Sequence, residues 1–371
     1  MDAGGGGVGV DWGAGYGGRR QMTLILGIET SCDETAAAVV ERGRVVRSQV
    51  VATQVELHAA YGGVYPELAS RAQLETIAPV CRAALAEAGC QLTDLDAIAV
   101  TQGPGLVGSL LVGLQFAKGL ALGSGRPLRA VNHLEGHLHS LWLADEQNGR
   151  EPPPFPLLAL IVSGGHSELV WMSDHGCYET VGRTRDDAAG EAYDKVARLL
   201  GLPYPGGPPL ERAAREGDAT AYDFPRAWLG ESLDFSFSGL KTAVRRAVTE
   251  PTADARQLQL RAGTNVADVA ASFQAALLEV LTVKTARAAE QLGAAAVGLV
   301  GGVSANQALR EQLRATVKQP LYAPPAKWST DNGAMIAAAA HFQHLRGEPP
   351  ADAGLDARPM WPLAAESEAR G

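Results

Sequence analysis

The apolar segments of this sequence occur twice in the same order, and that repetition restricts the fold more than any single motif does. "LILGIET" is a short apolar run ending in polar turn residues, and "AAAVVERGRVVRSQVV" reads as two strands joined at Arg42-Gly43, an antiparallel three-stranded start. A helical stretch from about Pro66 to Ala88 follows, then the strand "AIAV" before "TQGPG", a helix, the strand "LRAV" and a further helix starting near Asn132. After the linker "NGREPPPFP" the pattern restarts with "LLALIVSGG", "HSELVWMS" and "YETVGR" as three strands. A long insertion carries helices; then come "AVGLV" before "GGVSAN", a helix, a short strand from Pro320 to Tyr322, and a last helix from Asp331. Two such series predict an internal duplication: an α/β chain in two lobes. Residues 22–150 form the first lobe, and residues 151–345 form the second, with its helical insertion and a last helix returning to the cleft. Residues 1–21, with nine glycines, read as a disordered leader ahead of a natural start at Met22, and 346–371 as an irregular, proline-rich tail.

By element order this layout resembles the actin, Hsp70 and sugar-kinase superfamily, which implies a nucleotide cleft between the lobes with glycine turns around the phosphates. The turns stand in suitable places: "ETSCDET" after the first strand, "SGGHSE" after the first strand of the second lobe, and "GGVSAN" before a helix. Backbone amides in such turns bind anions without positive side chains. Taken singly, Gly103, Gly105, Gly164 and Gly165 are equally explained as tight connections that need positive φ. "YPGGPPLE" adds a glycine pair ahead of a helix, where Glu211 can reach a ribose or simply favour the helix N-terminus.

Three of the chain's eight histidines fall in "VNHLEGHLHS". With Asn132 as a cap, His133 and His137 share one helical face and can grip one metal ion; two histidines facing solvent or one another are the plainer alternative. The zinc-protease motif H-E-x-x-H is not met, because Leu134 stands where its glutamate belongs and Glu135 leans off the metal face. In "STDNGAMIAAAA", Asp331 is either the cap of the last helix or the carboxylate that completes two histidines around a divalent ion with open positions.

Composition narrows the setting. Hydrophobic residues at 46% and charged residues at 20% describe an ordinary globular protein, and 371 residues suit two lobes. Cys32, Cys81, Cys90 and Cys177 show no C-x-x-C spacing and read as free thiols of a reducing, cytoplasmic compartment. Leu106 to Leu122, the most apolar stretch, is interrupted by Gln115 and Lys118, and no membrane association is expected. A net charge of −9 argues against generic nucleic-acid binding, though not against a local basic patch.

"GIETSCDETAAAVV", "GGVYPELASR", "TQGPGLVGSLLVG", "NHLEGHLHS", "LIVSGGHSELV", "DDAAGEAYDKVARLLGLPYPGGP", "DFSFSGLKTA", "GGVSANQALR" and "TDNGAMIA", in this order, resemble the tRNA threonylcarbamoyl transferase family, once called the O-sialoglycoprotein endopeptidase family. The resemblance runs from about Leu24 to Leu363. It implies transfer of a threonylcarbamoyl group from threonylcarbamoyl adenylate to N6 of adenosine 37, in tRNAs reading codons that begin with A, with release of AMP. It implies one divalent metal ion per subunit, iron or else zinc, on His133, His137 and Asp331. Adenylate contacts carried over by motif are Ile161, Val162, Ser163, Gly164 and Gly165, with Asp194, Gly207, Glu211 and Asn306. Implied partners are tRNA, a smaller inactive paralogue of the same fold and a P-loop ATPase. Two positions depart from the family pattern: no tyrosine stands near Ile161, and Gln73 stands where a histidine is expected.

The chemistry is consistent with these residues. A mixed anhydride is already activated, so the enzyme must place two substrates and stabilise charge more than form a covalent intermediate. Exocyclic N6 is a weak nucleophile that needs a base, for which Asp33 and Glu34 in the first turn are the candidates; the same residues equally suit a role in orienting the turn or a water. Rival readings are a small-molecule kinase of the same superfamily, a metalloprotease, and a nucleotide-sensing scaffold without catalysis.

Overall fold

The structure is a computed structural model that describes residues 24–145, 149–251, 258–352 and 354–364. The expected glycine-rich leader and the end of the tail, 365–371, lie outside the described residues.

The first half contains β1 (Leu24–Glu29), β2 (Glu34–Glu41), β3 (Val45–Thr53), α1 (Val55–Ala59), α2 (Pro66–Glu87), β4 (Ala97–Gly103), α3 (Val107–Ser124), β5 (Leu128–Asn132) and α4 (His133–His139). Arg42 and Gly43 turn the β2–β3 hairpin with φ of 51° and 64°, the left-handed pair that a two-residue connection between twisted strands favours. The second half contains β6 (Leu157–Val162), β7 (Ser167–Asp174), β8 (Cys177–Arg183) and then an insertion of α5 (Ala189–Leu199), α6 (Gly207–Ala214), α7 (Ser238–Val248), β9 (Thr249–Pro251), β10 (Leu258–Leu260) and α8 (Val266–Leu292). It closes with β11 (Ala296–Val300), α9 (Gln307–Thr316), β12 (Leu321–Tyr322) and α10 (Gly333–Arg346).

The two main sheets have one topology. The first runs β3-β2-β1-β4-β5 and the second β8-β7-β6-β11-β12. In each, the first three strands pair antiparallel and the last two join in parallel. The expected duplicated α/β architecture is therefore present strand for strand. By length and composition α3 and α8 could each cross a bilayer. Within the fold, α8 buries Phe273, Leu277 and Leu281 in the second-half core, and α3 packs Leu114 and Ala117 under the first sheet.

Sequence order does not predict where the two closing helices go. Helix α4 ends the first half, yet its Leu134 and Leu138 pack on Leu157, Ala159 and Val300 of the second sheet. Helix α10 ends the second half, yet its alanines pack on Ile25, Ala38, Ala97 and Val131 of the first. The small residues of "NGAMIAAAA" allow this: a Cβ on Gly333 would meet Gly27 O at 2.6 Å, so helix and strand touch backbone to backbone. The exchanged helices also pack on each other, with Gly136 of α4 against Ile336 of α10.

The tail is irregular but not free. Ala351 N donates to Leu128 O, Arg358 N to Gln102 O (each 2.8 Å), and Asn132 Nδ2 to Trp361 O (3.1 Å). It straps the ends of β4 and β5, where main-chain groups without a strand partner need one.

Candidate active site between the lobes

Both exchanged helices begin at one point. Asn132 caps α4, its Oδ1 accepting from Leu134 N (2.9 Å) and Glu135 N (3.4 Å), which sets His133 and His137 one turn apart with ring centroids 4.7 Å from each other. At the equivalent place in the second half the cap is Asn332, whose Oδ1 accepts from Met335 N (2.9 Å). This decides the choice left open by the sequence: the cap is the asparagine, and the preceding Asp331 turns to the histidines. Asp331 Oδ1 lies 3.2 Å from His137 Nε2 and 3.6 Å from His133 Nε2.

The candidate ligand atoms of the three residues all fall within 4.8 Å of one another. His137 is fully buried, and neither ring nitrogen has an aligned hydrogen bond, the condition of an imidazole that lacks its acceptor. Two imidazoles and a carboxylate are a donor set for iron or zinc, so the residues fit such an ion. Behind them stands Glu29, wholly buried, whose Oε2 meets His133 Nδ1 at 3.0 Å and accepts from Thr101 Oγ1 at 2.5 Å, while Oε1 accepts from Ser31 N. A carboxylate on the far nitrogen fixes ring orientation and aims Nε2 at Asp331. Burial alone would lower the His133 pKa, but Asp331 and Glu29 outweigh it and lift the value to about 9. Burial likewise opposes charge on Asp331, but His133 and His137 hold it well below the usual carboxylate range. Glu29 escaped sequence reading because a glutamate at a strand end reads as the edge of a turn.

The acidic turn Cys32-Asp33-Glu34 faces this cluster because its main chain is tied back. Cys32 O accepts from Gln73 Nε2 (3.0 Å) and Ser109 Oγ (3.1 Å), Asp33 O from Gln54 N (3.2 Å), and Glu34 O again from Gln73 Nε2 (3.0 Å). Gln73, at the position where the family pattern has histidine, is wholly buried and holds this turn through its main chain. Burial, then Asp331 and Asp33, push the Glu34 carboxyl up to about 10. Across the cleft, burial and then Asp33 and Asp194 raise the Tyr204 phenol, so the turn looks onto the α5–α6 corner. His166, not singled out in the sequence, is also beside the cluster: burial, then His133 and His137, lower it to about 4 and keep its ring neutral.

The expected adenylate contacts divide. Ile161 and Val162 are interior residues of β6 with wholly buried side chains, so they cannot reach a ligand with them; the sheet needs them as core. Ser163 N donates to His166 O (2.8 Å), and its Oγ accepts from His166 N (3.1 Å), which locks a turn whose exposed Gly164 and Gly165 have no neighbour within 4 Å of an added Cβ. Gly207 and Gly302 are open in the same way. Gly301 is not: its φ is 90° and a Cβ would strike Val162 O, so it serves the chain. Asp194 Oδ1 accepts from Gly206 N (2.7 Å) and braces the turn before α6.

Asn306 and Glu211 also have partners within the fold. Asn306 caps α9: Oδ1 accepts from Leu309 N (2.9 Å) and Nδ2 donates to Gln274 Oε1 (3.0 Å), so both polar atoms help to hold the chain. Glu211 Oε1 accepts from Gln307 N (3.0 Å) at the start of α9 and pairs with Arg215 (2.9 Å) one turn along α6, so it ties the two helices together. Glu135, which stands off the H-E-x-x-H pattern, has its carboxylate bonded to Tyr178, Gln343 and Arg346 and turned off the face of His133 and His137, which further disfavours a protease.

Fold and site together define a duplicated α/β protein of the actin, Hsp70 and sugar-kinase kind with a two-histidine, one-carboxylate centre on its seam. Among solved structures it is similar in fold to T. kodakarensis HypF (TM-score 0.57, 16% identity, covering 88% of this chain and 48% of that one). The family model for tRNA N6-adenosine threonylcarbamoyltransferase matches residues 45–338. The chain is 53% identical over 354 residues to the tRNA N6-adenosine threonylcarbamoyltransferase of Thermomicrobium roseum, covering 92% of this chain and 97% of that one. It is 53% identical over 345 residues to the enzyme of the same name from Moorella thermoacetica, with the same two coverages, 92% and 97%. The chain belongs to the tRNA N6-adenosine threonylcarbamoyltransferase family.

Proposed function

We propose that this transferase of tRNA modification moves the threonylcarbamoyl group of threonylcarbamoyl adenylate to N6 of adenosine 37, in tRNAs reading codons that begin with A, and releases AMP. The observation that carries the reading is the meeting of His133, His137 and Asp331 at the starts of the two exchanged helices, with the acidic turn and the turn that bears His166 beside them. Backbone amides at Gly164-Gly165 and Gly302 suit the adenylate phosphate, since no side chain competes for that space. A divalent ion on His133, His137 and Asp331, iron by preference or zinc, would supply positive charge against the charge that builds on the leaving AMP. Asp33 takes the proton from N6 as the N–C bond forms and the C–O bond to AMP breaks. Glu34, whose carboxyl is pushed up by burial, lines the same turn and assists Asp33 by hydrogen bonding.

The partners proposed are tRNA, a smaller inactive paralogue and a P-loop ATPase, in the cytoplasm. An apolar groove of about 430 Å³ between α2 and α3, lined by Leu74, Ile77, Val112 and Phe116, supports a protein partner, since Leu74 is 65% exposed there. The basic cluster of α7 is the surface proposed to meet tRNA: Lys241 is engaged by Asp187 at 2.7 Å, which leaves the exposed Arg245 and Arg246.

The test is transfer of labelled threonine into tRNA, with stoichiometric AMP release, by the metal-loaded chain and its partners. His137→Ala should abolish transfer. Full transfer by that variant, or none by the loaded wild type, overturns the proposal.

A further inference from the structure

Glu135 is a buried carboxylate for which the transfer chemistry has no use. It is 5% exposed on α4, between the two histidine ligands but off their face. Its Oε1 accepts from Tyr178 Oη (3.0 Å) and Arg346 Nη2 (2.9 Å), and its Oε2 from Gln343 Nε2 (2.9 Å). Tyr178 belongs to β8, the edge of the second sheet, whereas Gln343 and Arg346 lie in the last turns of α10. Gln343 Nε2 also reaches Ala130 O at 3.3 Å, just before α4 begins. An ionised group is expensive to bury unless its lone pairs find donors, and here two elements, β8 and α10, supply three of them.

The location gives the cluster its consequence. Helices α4 and α10 carry the metal residues at their starts, His133 and His137 on one and Asp331 just ahead of the other. Gln343 lies ten residues into α10, roughly 15 Å along its axis from that start. The pair is thus fixed at the metal centre and again at Glu135, while Gly136 packed on Ile336 lets the helices come close. Two residues, about 200°, separate Glu135 from each histidine, so α4 is held on two opposite faces; a rotation of one residue's worth, about 100°, would break the Glu135 bonds and turn both imidazoles away from Asp331.

We infer that Glu135 is a positioning residue for the metal centre: its bonds to Gln343, Arg346 and Tyr178 set the rotation of α4 and hence the aim of His133 and His137. The inference rests on the reading that His133, His137 and Asp331 hold an ion. It is tested on the full chain with Co²⁺ as the only added metal, by visible absorption of the bound ion and by chelator competition for its dissociation constant. Glu135→Gln places an amide against the amide of Gln343, and should raise that constant about tenfold or more and shift the bands. Adding Gln343→Glu restores a donor–acceptor pair and should return both toward wild type, a recovery that general damage would not show. Tyr178→Phe, which removes one hydroxyl without a change of shape, keeps the question open to measurement if Glu135→Gln folds poorly; it should give a smaller shift in the same direction. No cobalt binding by the wild type, matched by His137→Ala, overturns the metal reading and this inference with it. Binding by the wild type that Glu135→Gln and Tyr178→Phe reproduce in affinity and spectrum overturns the positioning role alone, as does a loss that Gln343→Glu fails to recover.

Discussion

His133 lies between two carboxylates, Glu29 at 3.0 Å from Nδ1 and Asp331 at 3.6 Å from Nε2. The metal-free ring therefore keeps a proton up to about pH 9, and an ion must displace it. Each ion bound below that pH releases a proton, so affinity should climb about tenfold per pH unit from 6.5 to 8 and level off near 9. Chelator competition across that range checks this; a flat profile means that His133 is not the group displaced. Two other residues make opposite predictions. Asn306→Ala removes a helix cap and should cost about 1 to 2 kcal/mol of stability while leaving AMP affinity nearly unchanged. Gly302→Val fills space that no protein atom occupies, so it should leave the melting temperature near wild type but weaken AMP binding about tenfold or more. Thermal melts and calorimetry with AMP on both variants decide it, and the reverse pattern would return Asn306 to the nucleotide.

At the scale of elements, the tail and the exchanged helices determine whether the site assembles. Trp361 O accepts from Asn132, the cap of the metal helix, so a chain ended after Gly347 should show faster amide exchange in α4 and at the ends of β4 and β5, with α8 unaffected. Uniform protection in the truncated chain would reduce the tail to packing. How much of this could be read from the sequence depends on what each signal reports. The strands were legible because apolar runs bounded by turns are local, and Arg42-Gly43 and Asn132 behave as their local chemistry dictates. The helix exchange was not, since a run such as "AMIAAAA" announces close packing without saying against which sheet. Asp331 and Asn332 are adjacent and both able to cap, so only the structure could choose between them. The roles of Glu29, Gln73 and Glu135 escaped because the partners that define them lie 39 or more residues away in sequence: His133 for Glu29, Glu34 for Gln73 and Tyr178 for Glu135.

The whole molecule is joined on the far side of α4 by rings from both halves. His139 Nε2 meets His175 Nδ1 at 3.2 Å, His175 stacks on Phe342 with centroids 3.8 Å apart, and Trp142 and Phe155 close the cluster. His139 Nδ1 lies 2.8 Å from Glu135 O, so each histidine can act as a neutral donor in a chain that ends on that carbonyl. Burial lowers His139 to about 3, beyond what its bond to Glu135 O restores, and burial, with His139 and Arg346 nearby, lowers His175 to about 2. These folded values lie below the ordinary value of about 6.5 for an unfolded chain. Above pH 6.5 both states are neutral and nothing is lost; below it the unfolded chain takes protons that the folded seam refuses. Stability should therefore fall as the pH drops from 6.5 toward 3, by about 1.4 kcal/mol per pH unit for His139 alone. Carboxylates such as Asp331 add their own loss lower down, so the useful quantity is the difference between proteins. Urea unfolding at pH 7.5, 6 and 5 should show a steeper decline for the wild type than for His139→Gln, which starts less stable but cannot titrate. Equal slopes in the two would mean that the seam does not sense pH.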